Sequence, residues 1–228
     1  MSNEPSEELA NPDPRVITVW SDVGCPWASL ALHTLHAAAQ DRDLELRIDH
    51  RAFPLELVNR EPTPKAGHDA EVVAIGAVRP QLGWSTWAAP DATYPVTTLP
   101  ALEAVQAAKR PEVGGLAASD ELDTALRRAF FAEHRCISLH SVIEDVARAC
   151  RLVDTEALAV LLREGAGRRE VYRQLDVAQA EEVPGSPTLF RASGPAGANP
   201  GVDLEHVGGF PRINRYDPGW AERLLADL

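Results

Sequence analysis

A β-prone run, Arg15-Val16-Ile17-Thr18-Val19-Trp20, passes through Ser21-Asp22-Val23-Gly24 into Cys25-Pro26-Trp27-Ala28 and an alanine- and leucine-rich helical pattern. A strand that becomes a helix within so short a turn commits the chain to a βα start. Pro26 suits the first helical position, where a missing N–H costs nothing, so Cys25 falls at or beside the N-cap. There a thiol faces unpaired N–H groups and the positive end of the helix dipole, which favour thiolate over thiol. The competing reading is a small buried residue that closes a strand–helix turn, since free cysteine is commonly buried.

The rest of the chain follows a split pattern. Residues 1–14 are polar and acidic and are expected to form a disordered tail. Residues 15–20 read as a buried strand and 26–40 as a helix with Ala28, Leu32, Leu35 and Ala39 at helical spacing. His33 and His36, which no carboxylate joins at ligand spacing, are expected to face solvent. Leu44 to His50 alternates with period two, the pattern of a strand with one buried face. A strand–helix–strand start implies a right-handed crossover and a parallel pair. Ligands of open α/β sheets collect at the carboxyl ends of such strands.

From about residue 66 to 182 no strand is evident, only helical stretches. They cover 69–82, 98–109, a helix capped by Ser119, another capped by Ser138, one opened by Asp154 or Thr155, and 168–182. The aromatic- and proline-bearing segment from Gly83 to Pro95 reads as a surface connection pinned by buried rings. His134, Cys136 and His140 lack a fourth partner, so no metal site is assigned. Strand signals return at Pro187–Phe190 and Val202–Val207, separated by a Gly/Pro/Ala-rich loop, and Asp217-Pro218 opens a last helix.

A net charge of −12 argues against nucleic acid and anionic membrane as partners. No apolar run is long enough to span a bilayer. Three scattered cysteines, Cys25, Cys136 and Cys150, make no disulfide framework, so a reducing cytoplasm is the expected setting.

Four segments resemble the DsbA family, nearest its FrnE-type branch. They are Ser21–Trp27, His50-Arg51-Ala52-Phe53-Pro54-Leu55, Ala129–Glu133 followed by Cys136-Ile137-Ser138, and Val183–Phe190. The resemblance implies an α/β fold in which a thioredoxin-like domain (15–58 and 183–228) is interrupted by an α-helical insertion domain (59–182). It implies Cys25 as the catalytic residue. Pro26, Trp27, Ser186 and a cis Pro187 would contact substrate, and Asp22 would either tune the thiol or cap the turn.

Where dithiol members carry a second cysteine, this chain has Ala28, which points to monothiol chemistry. No tightly bound cofactor is implied. The expected partners are a small thiol or disulfide, with a low-molecular-weight thiol as co-substrate, or an extended peptide. The same region also resembles kappa-type glutathione transferases and 2-hydroxychromene-2-carboxylate isomerases, which would make the protein a thiol-dependent transferase or isomerase. A redox-inactive peptide-binding module is the third reading.

Overall fold

The computed structural model describes residues 8–62, 64–181, 183–226 and 228. Strand β1 (Val16–Ser21) leads into helix α1 (Pro26–Asp41), strand β2 (Arg47–Ala52) and a short helix α2 (Leu55–Asn59). Six helices follow: α3 (Lys65–Val78), α4 (Leu99–Ala108), α5 (Gly115–Phe131), α6 (His140–Ala147), α7 (Thr155–Arg163) and α8 (Arg168–Ala180). Strands β3 (Thr188–Arg191) and β4 (Gly194–Ala198), a hairpin β5 (Val202–Val207) and β6 (Phe210–Tyr216), and helix α9 (Gly219–Leu225) complete the chain.

The central sheet has the order β2-β1-β3-β4. β1 runs parallel to β2, with Val19 opposite His50, and antiparallel to β3, with Val19 opposite Leu189. The hairpin β5–β6 is a separate two-stranded sheet. This is a mixed α/β thioredoxin-like arrangement with helices lying between β2 and β3 in the chain.

One face of the sheet packs Ile17, Val19, Ile48 and Leu189 against Leu32 and Leu35 of α1 and Trp220 and Leu225 of α9. Burial of each such aliphatic side chain is worth about 1.5–3 kcal/mol. A second core, built on Leu102, Val105, Leu122, Leu126, Phe130, Phe131 and Ile143, unites the inserted helices.

Several expectations need correction. Of the tail placed at 1–14, residues 1–7 lie outside the described residues. Leu9 and Ala10 are buried, and the Trp20 indole N–H donates to the Leu9 carbonyl at 2.9 Å, so the chain is packed before β1 begins. The Gly/Pro/Ala segment contains β4, and β6 follows β5; low β-propensity hid the first. Ser119 is not a cap: it is buried inside α5 and donates to the Val105 carbonyl. Ser138 instead donates to the Thr97 carbonyl. β2 is not half-exposed, because helices cover it, and Asp49 and His50 are both buried. Asp154 does cap α7, accepting the Ala157 N–H at 2.9 Å. Replacing Asp154 with Ala is expected to cost about 1 kcal/mol in chemical denaturation, with an unchanged dependence on denaturant.

Candidate active site

The β1–α1 turn is fixed by Asp22. Its carboxylate accepts the Gly24 N–H at 2.8 Å, the Leu55 N–H at 2.9 Å and the Thr98 hydroxyl at 3.0 Å. Burial nevertheless raises the Asp22 carboxyl above the ordinary range, against those hydrogen bonds and the nearby Arg127. Gly24 is required by close packing, since a Cβ there would stand 2.8 Å from the Thr98 methyl. Cys25 is the N-cap of α1, with φ −81° and ψ 116°, and Pro26 occupies the first turn. The Cys25 N–H donates to the Asp22 carbonyl at 3.1 Å.

The second wall comes from the segment before β3. The Ser186–Pro187 peptide bond is cis. The Asp22 N–H donates to the Ser186 hydroxyl at 3.0 Å, and the Cys25 thiol reaches the Ser186 carbonyl at 3.3 Å. The structure therefore brings Asp22, Cys25, Pro26, Trp27 and Ser186–Pro187 to one place from opposite ends of the chain.

Cys25 is only 3 % exposed. It packs with Trp27, Ala28, Leu30 and Ile75, and Val202, Leu204, Ile213 and Tyr216 of the hairpin close over the same cluster. The Cys25 thiol is not lowered, contrary to what its place at the helix N-terminus predicts. Burial pushes the Cys25 thiol up to about 11. The Ser186 hydroxyl and the Ala28 N–H favour the thiolate but do not offset desolvation, and the carboxylates of Glu71 and Asp22 add to the rise. Desolvation of the buried sulfur outweighs the pull of the helix end.

The other two cysteines stand apart. Cys150 packs against the core of the inserted helices, and burial raises its thiol to about 11. Cys136 lies between α5 and α6, and all three cysteines are free. His134 holds the 83–95 segment: its Nδ1 accepts the Ala88 N–H at 3.1 Å, and its Nε2 lies 3.1 Å from the Ser85 hydroxyl.

His33 is exposed, but His36 is not simply solvent-facing. Its Nε2 lies 3.2 Å from the Asp120 carboxylate, which also bonds His50 at 2.8 Å. Thr98, Ser29 and Arg127 escaped sequence reasoning although all three bind the Cys25 turn or its carboxylate. The available signal was the Asp123/Arg127 spacing of four on α5, which ordinarily marks an exposed pair.

A thioredoxin-like sheet, a helical insertion and a single cysteine capping the first helix beside a cis-proline segment define the class. The profile of the DSBA-like thioredoxin domain family matches residues 16–205, and the chain belongs to that family. No curated protein matches it in sequence.

Among solved structures it is similar to the cytosolic disulfide reductase DsbM from Pseudomonas aeruginosa with GSH, at TM-score 0.61 and 17% identity over 93% of this chain and 98% of that one. It is similar to a candidate protein disulfide isomerase from Nitrosomonas europaea, at TM-score 0.60 and 14% identity over 93% and 95% of the two chains. A 2-hydroxychromene-2-carboxylate isomerase gives TM-score 0.54 and 14% identity over 92% and 91%. At these identities the likeness is one of fold. Among the described residues no helix is long and apolar enough to cross a membrane.

Proposed function

We propose that this chain is a monothiol member of its family, of the FrnE type, that exchanges disulfides at Cys25 in a reducing cytoplasm. The observation that carries the reading is the Cys25 sulfur at the N-cap of α1, 3.3 Å from the Ser186 carbonyl, with Ala28 where a second thiol would stand. The Cys25 thiolate attacks one sulfur of a disulfide, forming a mixed disulfide and expelling the other sulfur as a thiolate, which takes up the proton. A low-molecular-weight thiol then attacks the mixed disulfide, gives up its own proton, and releases Cys25. The net change is the exchange of one thiol for another in a disulfide. Ser186 and Pro187 would present an edge to an extended peptide or to the thiol's own peptide-like backbone, while Pro26 and Trp27 line the approach.

The burial of Cys25 favours a second reading, a redox-inactive binding module. A test separates the two: incubate the protein with glutathione disulfide, follow intact mass, and map the adduct by peptide digestion. The expected result is one mixed disulfide at Cys25, absent in Cys25→Ser and removed by added glutathione. Adducts confined to Cys136 or Cys150, with Cys25 unmodified, would favour the binding module. Steady conjugation of glutathione to an electrophile would instead favour the thiol-dependent transferase or isomerase.

A further inference from the structure

We infer that Arg127, supplied by the inserted helix α5, is a positioning residue that holds the backbone on both sides of Cys25; this rests on Cys25 being the reacting group. Arg127 is 5 % exposed and spends its guanidinium in two directions. Toward its own helix it forms a two-point bond with Asp123, Nε to Oδ2 at 2.6 Å and a terminal nitrogen to Oδ1 at 3.1 Å. Toward the thioredoxin-like half it donates to the Asp22 carbonyl at 3.0 Å, the Val23 carbonyl at 3.3 Å, the Ser29 hydroxyl at 2.9 Å and the Ser21 hydroxyl at 2.9 Å.

Two of those acceptors touch Cys25 itself. The Asp22 carbonyl also accepts the Cys25 N–H, and the Ser29 hydroxyl donates to the Cys25 carbonyl at 3.0 Å. Arg127 is thus one hydrogen bond removed from both backbone groups of Cys25.

The anchor is braced in turn. Asp123 lies 3.7 Å from His50 Nδ1 on β2, and the other side of that ring bonds Asp120 at 2.8 Å. Asp120, Asp123 and Arg127 are spaced by three and four on α5, so one helix face presents all of them to β1, β2 and α1. A buried ion pair returns little net stability over an apolar pair of the same volume, because both charges are desolvated. The planar five-donor fork of arginine, which lysine lacks, fixes several acceptors at once. That supplies geometry, and the geometry it fixes is that of the Cys25 turn.

The test uses the full chain as wild type, Arg127→Lys and Cys25→Ser. Amide hydrogen exchange is read across residues 21–29, and site-resolved alkylation of the three cysteines is followed against pH. Lysine keeps the charge but not the fork. The expected result is exchange in the turn faster by about tenfold or more, and Cys25 alkylation faster at neutral pH with its titration moved down by about one pH unit. Cys136 and Cys150 label as before.

Unchanged exchange and alkylation at Cys25 would overturn the inference. So would faster labelling of all three cysteines together, which marks general loosening of the fold. If Arg127→Lys does not fold, the double change Ser21→Ala/Ser29→Ala removes two of the tethers while leaving the ion pair whole, and the same outcomes decide. Cys25→Ser that still forms and resolves the mixed disulfide would overturn the proposed function instead.

Discussion

Alkylation of Cys25 by iodoacetamide is expected to accelerate about tenfold with each pH unit from neutrality to about pH 10, with no plateau below that. Burial holds this thiol up to about 11, so roughly one molecule in ten thousand carries the thiolate at pH 7. A plateau near or below pH 8 would show that water and the helix end control the sulfur after all.

The same raised titration makes a stability prediction. The folded chain binds the Cys25 proton more tightly than the unfolded chain, whose thiol sits at the ordinary value of 9.0. The contribution is fully present below about pH 9 and is lost as pH climbs from there through about 11. At most about 3 kcal/mol is at stake. Denaturation of wild type and Cys25→Ala across that window should diverge in slope, wild type losing stability faster. Cys150 titrates in both chains and cancels in the comparison.

The second large effect is a gain of chemistry. Ala28→Cys places two thiols one helical turn apart at the start of α1, and the variant is expected to form a Cys25-to-28 disulfide and to reduce insulin faster than wild type. Ala28 is 0 % exposed and packed against the Ile75 cluster, so the extra sulfur must be fitted into a filled space at about 1–3 kcal/mol before any disulfide forms. If the disulfide forms without insulin reduction, the groove at Ser186–Pro187 does not admit a peptide, and small thiols are the better substrates. If wild type reduces insulin as fast as the variant, the missing cysteine does not define this chemistry.

The parts of this site legible in the sequence are those fixed by neighbours in the chain. A β-prone run, a cysteine and a proline suffice to place Cys25 at the N-cap, because each residue acts within one turn of the others. The protonation of that thiol was not legible. It depends on Ile75, Leu204, Ile213 and Tyr216 closing over it from helix α3 and the hairpin β5–β6, and no local pattern announces which distant residues will exclude water. The misread caps have the same origin. Ser119 and Ser138 carry the side chain of a helix start, but each finds a carbonyl on another element. Arg127 and Asp123 look in sequence like a solvent-facing pair and acquire their meaning only where α5 meets β1. β4 was hidden for the opposite reason: Gly194-Pro195-Ala196-Gly197-Ala198 pairs with β3 because the sheet offers a partner, not because the residues prefer strand.

That poor strand has a consequence for how copies of the protein behave toward one another. On the outer flank of β2 the His50 carbonyl accepts from Gln106 of α4 and the Ala52 N–H donates to Gln174 of α8, which leaves β4 as the flank of the central sheet that an additional strand would have to join. Pro195 has no N–H to give, and Gly197, at φ +141°, stands outside the conformation that side-chain-bearing strands adopt. The bulge between Leu189 and Phe190 twists the same border. A growing stack of sheets needs a straight row of free donors and acceptors, and here the row is short, bent and interrupted. The residues that make β4 hard to recognise are the ones that keep the sheet from acting as a template for aggregation.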